Sequence, residues 1–96
     1  MNGLTFILLT PKGELARAEC ACVTFFARDN DRGEGGGSMG IRRGHTQALA
    51  ALEEGSVIKL RSEGRVTDAF RVSRGFAGVK DDVVTVAAED AERLEI

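Results

Sequence analysis

Ninety-six residues are enough for one domain, spanning 1–96, and at that mass its core is thin because a small body has much surface for its volume. Thirteen Lys and Arg against fifteen Asp and Glu give a formal net charge of −2, so the chain lacks the basic excess of a nucleic-acid binder. No apolar run reaches the roughly 18 residues of a membrane-spanning helix, and Leu4 to Leu9 is too short for a signal-peptide core, so a cytosolic chain without membrane insertion is expected.

Leu4 to Leu9 is nearly continuous in apolar side chains and stops at Thr10-Pro11-Lys12-Gly13, the pattern of a buried strand followed by a turn. Glu14 to Ala27 carries Leu15, Val23, Phe25 and Phe26 among small residues. It is too long for one typical strand and has no helical cap, so two strands or one kinked strand are expected. Cys20 and Cys22, two apart, would share one face of a strand about 6–7 Å apart, a poor geometry for a disulfide. With one histidine and no further cysteine, ligands for a structural zinc are missing, and both read as small apolar or half-exposed packing residues.

From 28 to 38 the character changes to Asp, Asn, Arg and glycines, which have little to bury and form a Gly-rich solvated loop. Thr46 to Glu54, taken by itself, has helix formers and a helix-stop at Gly55. Ser56 to Arg61 and Arg65 to Ser73 flank Ser62-Glu63-Gly64, a hairpin signal. Val57, Ile58, Leu60, Val66, Phe70 and Val72 are expected inside, with Lys59, Arg61, Thr67 and Arg71 at the surface. Arg74-Gly75 turns into Phe76 to Val79, and Lys80-Asp81-Asp82 turns into Val83 to Ala87. Glu89 to Ile96 is charged, helix-compatible and about two turns long. The fold class expected is all-β: an antiparallel sandwich of about 8–10 short strands with at most one short C-terminal helical turn.

Chemistry has few footholds. Gly35-Gly36-Gly37-Ser38-Met39-Gly40 matches G-x-G-x-x-G in letters, but a polar loop precedes it, Arg42, Arg43 and Gly44 interrupt the following helix start, and the βαβ frame does not fit in the chain. His45 is the only imidazole, and no spacing places a nucleophile beside it, so it reads as a packed histidine at a junction. No cofactor, metal or nucleotide is expected. Arg42 and Arg43 form a local positive patch beside the loop, suited to a docking rim where charge orients a partner. The acidic end from Asp81 to Glu95 lacks the regular ligand spacing of a calcium site.

The segment Gly37-Ser38-Met39-Gly40-Ile41-Arg42-Arg43-Gly44-His45 resembles the G-x-[LFM]-G-[IV]-x-x-G-H segment of the ε subunit of F-type ATP synthases. Thr10-Pro11-Lys12-Gly13, Val23-Thr24-Phe25, Val72-Ser73-Arg74-Gly75-Phe76 and Val83-Val84-Thr85-Val86-Ala87-Ala88 fall in step with the same family, in order, between Leu4 and Glu92. The resemblance implies a non-catalytic central-stalk subunit that grips the γ subunit, rests on the c-ring and couples ring rotation to the catalytic head. It would lie peripherally on the cytoplasmic face of the energy-transducing membrane. Gly37, Ser38, Met39, Gly40 and Ile41 match the family's loop facing the c-ring and γ, with Arg42, Arg43 and His45 beside it. The family is extended where 46–54 falls, which implies a strand there.

Departures from the family pattern are specific. Ser38 replaces a usual acidic residue, Arg43 and Gln47 replace prolines, and the loop before Gly37 is about seven residues longer, an insertion that loop-closure entropy tolerates. Many family members continue into a C-terminal pair of helices; with Ile96 at its end, the chain is expected to lack that brake on ATP hydrolysis and its ATP site. The competing reading is a free-standing β-sandwich module whose Gly-rich loop captures a peptide or small ligand.

Overall fold

Strands dominate because apolar and polar side chains alternate with period two over most of the chain, leaving one greasy face per segment. The computed structural model describes residues 3–27, 37–44 and 47–95. Within them run β1 (Leu4–Thr10), β2 (Gly13–Cys20), β3 (Cys22–Ala27), β4 (Gly37–Arg42), β5 (Ala48–Leu52), β6 (Ser56–Ser62), β7 (Arg65–Val72), β8 (Gly75–Lys80), β9 (Val83–Ala88) and β10 (Ala91–Leu94). The hydrogen-bonded order is β10-β7-β6-β3-β5-β8-β9-β1-β2, with β4 on the other edge of β3.

This path folds over into a sandwich. β3 pairs with β5 only at Ala27↔Leu52, and there the sheet passes from the layer β10-β7-β6-β3-β4 to the layer β5-β8-β9-β1-β2. Elsewhere the chain crosses between layers at Ala21, whose N–H donates to the carbonyl of Arg61 at 2.9 Å. Inner faces of both layers meet in one core, with Phe6, Leu8, Leu52, Val84 and Val86 on one side and Val23, Phe25, Ile58, Leu60 and Phe70 on the other. The rings of Phe6 and Phe70 stack across it at 5.6 Å. Every pairing among the described residues is antiparallel except β1 with β9, which run parallel from Thr5↔Val83 to Leu9↔Ala87.

Local expectations met this frame with mixed results. The hairpin is as read: Ser62 pairs with Arg65 around Glu63 (φ 53°) and Gly64 (φ 78°), a two-residue turn of the primed kind whose twist suits antiparallel strands. Residues 48–52 are a strand, as the resemblance implied, because pairing along β8 and burial of Leu52 outweigh weak helix propensity. No helical turn forms at 91–94. That segment is β10, laid along β7 from Ala91↔Val72 to Leu94↔Ala69; so short a helix gains little alone, whereas β7 offers a ready ladder.

β10 is also pinned by Arg93. Its guanidinium stacks over the Phe70 ring at 4.8 Å and donates to Asp68 Oδ1 at 2.7 Å. The two cysteines do not share a strand, because the bend at Ala21 separates them. Cys20 ends β2 fully buried, Cys22 opens β3 half-buried, and both are free thiols. Val57 and Val66, expected inside, are half-buried, and so is Arg61. Consecutive residues of a strand cannot both face the core, and Ile58 takes the inward place from Val57.

Candidate functional site

The residues singled out in the sequence lie mostly on β4. Gly37 and Ser38, expected at the end of the Gly-rich loop, are paired strand residues opposite Ala27 and Phe26, and Met39 follows opposite Phe25. The segment Gly37–Arg42 is therefore a strand along the flank of β3 instead of a loop, because a partner strand satisfies its backbone. Ile41 points inward and is 1% exposed, so it anchors the strand in the core. Gly40 and Arg42 face out, and Arg43 is exposed in the turn that follows. His45 and the loop residues 28–36 fall outside the described residues.

One hydrogen bond holds the end of this strand against the other layer, and a second fixes the residue that accepts it. The Gly44 N–H donates to Asp82 Oδ1 at 2.7 Å, and the Asp82 carbonyl accepts from the Thr5 N–H at 3.0 Å. Asp82 sits with Asp81 in the two-residue turn between Lys80 and Val83, both at positive φ (64° and 52°), a conformation Asp tolerates better than most side chains. The aliphatic stem of Arg43 lies across Gly3, where an added Cβ would fall 2.7 Å from the arginine Cδ. Asp82 thus ties the β8–β9 turn, the start of β1 and the end of β4 into one junction. Sequence reasoning missed it, since Asp82 is 38 residues from Gly44.

The two outer faces differ in chemistry. On β5-β8-β9-β1 the surface is apolar: Leu49 is 75% exposed and Phe76 57% exposed, with Ala51, Thr85 and Ala87 in neighbouring register positions. Leu49 lies over Gly78, and at this end an open groove of about 870 Å³ is lined by Gln47, Leu49, Val79, Lys80 and Thr85. Exposed large apolar groups grouped on one sheet face mark a contact surface. On β4-β3-β6 the surface is basic: Cys22 pairs with Arg42 on one side and Arg61 on the other, and Thr24 pairs with Gly40 and Lys59. In the sequence Lys59 and Arg61 stand out only as surface residues. Register joins them to the motif.

Among the described residues no group of three or more His, Cys, Asp or Glu could hold a metal ion, and no buried side-chain polar atom lacks a hydrogen-bond partner. Burial, and secondarily the neighbouring Cys22, push the Cys20 thiol above its ordinary range. No helix of the described residues is long and apolar enough to cross a membrane.

Residues 3–94 match the family described as ATP synthase, Delta/Epsilon chain, beta-sandwich domain. The chain is 34% identical to the ATP synthase epsilon chain of Anoxybacillus flavithermus over 95 residues, covering 99% of this chain and 64% of that one. It is also 34% identical to the Bacillus subtilis ATP synthase epsilon chain over 88 residues, covering 92% of this chain and 60% of the relative. It therefore spans about three-fifths of the length of these relatives. Among solved structures, a chain of the Euglena gracilis mitochondrial ATP synthase (OSCP/F1/c-ring, rotational state 1) superposes with a TM-score of 0.73 at 24% identity, covering 97% of this chain and 54% of that one. At that identity the likeness speaks for the fold.

Proposed function

The chain belongs to the delta/epsilon chain β-sandwich family of ATP synthases, and from that premise we propose that it is the ε-type central-stalk subunit of an F-type enzyme. In this role it is non-catalytic: it transmits rotation of the c-ring to the γ subunit and so to the catalytic head, and it rides peripherally on the cytoplasmic face of the energy-transducing membrane. The observation that carries the reading is the family match over residues 3–94, which takes in every strand of the described residues.

Mechanical coupling asks for a stiff pad with partner surfaces on it. Stiffness comes from the core that locks the two layers and from the Asp82 junction that fixes the end of β4. The apolar face around Leu49 and Phe76 suits packing against γ. Gly37, Ser38, Met39, Gly40, Arg42, Arg43 and His45 supply the rim toward the c-ring and γ, with Ile41 anchoring them. Gel filtration of the chain mixed with its γ subunit tests the reading: a stoichiometric complex is expected, and separate elution at micromolar concentrations of both would refute it.

A further inference from the structure

The three adjacent strands β4, β3 and β6 contain Arg42, Lys59 and Arg61 and not one Asp or Glu, within a chain whose formal net charge is −2. Cross-strand register aligns Arg42 and Arg61 on either side of Cys22, so their Cα atoms lie two strand spacings apart, on the order of 10 Å. Lys59 stands one outward-facing position further along, beside Thr24 and Gly40. Singly, surface cations need no explanation. Here their placement decides: register gathers three of them on one outer face of three strands that carry no carboxylate to offset them. Arg42, Lys59 and Arg61 have no ion-pair partner among the described residues.

We propose that this outer face of β4-β3-β6 is a docking lane for a carboxylate-bearing segment of the rotor partner, a stretch rich in Asp or Glu. The inference rests on the central-stalk reading and adds the chemistry of what meets this face. Two guanidinium forks present planar, bidentate sites for carboxylates, and Lys59 adds a third positive centre between them and the far edge. Gly40, without a side chain, and Thr24, with a small one, keep the lane between the cations low enough for an extended backbone. An anionic bilayer or a nucleic acid is the poorer fit, because three cations on a net-negative body give few phosphate contacts while the acidic remainder of the surface repels a broad polyanion. Opposed charges at such a rim set orientation and on-rate and weaken with salt.

The test uses the whole chain and the purified γ–c-ring complex of the same enzyme. Binding is measured at low and high salt for the natural chain, the Lys59→Glu/Arg61→Glu pair and the charge-removing Lys59→Gln/Arg61→Gln pair, with melting curves to verify folding. The Glu pair should bind about tenfold or more weakly at low salt and lose most of its salt dependence, and the Gln pair should fall between. A zero-length carbodiimide should join Lys59 to an Asp or Glu of the partner. Natural affinity in the folded Glu pair, with no Lys59 linkage, would overturn the proposal while leaving the central-stalk reading intact. Absence of any binding by the natural chain would overturn both. Vesicles containing 30% phosphatidylglycerol form the control: if charge reversal abolishes vesicle binding and spares the γ–c-ring complex, the lane is for lipid and the proposal fails.

Discussion

Among the glycines whose surroundings are described, Gly75 is where an added carbon would meet the tightest contact. It opens β8 between two ladders, paired with Leu52 of β5 and Ala88 of β9. A Cβ built there would lie 2.1 Å from the carbonyl oxygen of Ala87 and 3.0 Å from the Cα of Ala88, whereas ordinary contact begins at 3.4 Å. The obstacle is backbone on a paired strand, so relief requires β8 and β9 to part by more than an ångström at that end. Overpacking of this kind costs about 1–3 kcal/mol, a lost ladder hydrogen bond adds roughly 1, and the stiffer unfolded chain returns about 0.4–1. The net for Gly75→Ala is a loss of about 1–4 kcal/mol, a fall in Tm on the order of 5–25 °C for a domain of this size. Gly78→Ala is the internal control, since its Cβ would meet only Leu49 Cδ1 at 3.7 Å and the Ala48 carbonyl oxygen at 4.0 Å. Urea titration of both variants reads the difference. If Gly75→Ala falls within about 0.5 kcal/mol of Gly78→Ala, the steric argument is wrong.

Asp82→Ala should lose about 1–2 kcal/mol, from the missing acceptor for Gly44 and an alanine forced to positive φ; Asp82→Gly should recover the conformational part yet still show faster hydrogen exchange at the Gly44 amide. Slow exchange at Gly44 in both variants would show that the junction does not depend on the carboxylate. For Cys20, the folded chain holds the proton above the ordinary thiol pKa of roughly 8.5, where the unfolded chain releases it. Its contribution to stability is therefore full below that pH and is lost as pH rises through it toward the folded value, and Cys20→Ala should flatten the decline of the urea midpoint between pH 7 and 10. Identical slopes for the two chains would remove the thiol from the account. Phe76→Ser and Leu49→Ser should leave stability within about 0.5 kcal/mol because both side chains are exposed, while γ binding falls; unchanged γ affinity would assign the apolar face elsewhere.

Much of the architecture was legible in the residues because its causes are local. The apolar run at Leu4 to Leu9, the turn residues at Ser62-Glu63-Gly64 and the spaced segments after Gly55 each carry their own strand or turn chemistry. The G-x-M-G-I run pointed to the family, but it reads as a loop in the sequence, and only pairing with β3 makes it the strand β4. Period two also tells which residues share a face, as with Gly40, Arg42 and the inward Ile41.

Which strand lies beside which was decided by tertiary structure alone. Residues 48–52 and 91–94 are helix-compatible read alone and became strands because β8 and β7 offered them hydrogen-bonding edges. The parallel run of β1 beside β9, the bond from Gly44 to Asp82 and the alignment of Arg42 with Arg61 across Cys22 join residues tens of positions apart. Local periodicity orients a side chain toward one face of a strand, but pairing and register follow from how two layers close over a common core, and that closure is a property of the whole chain.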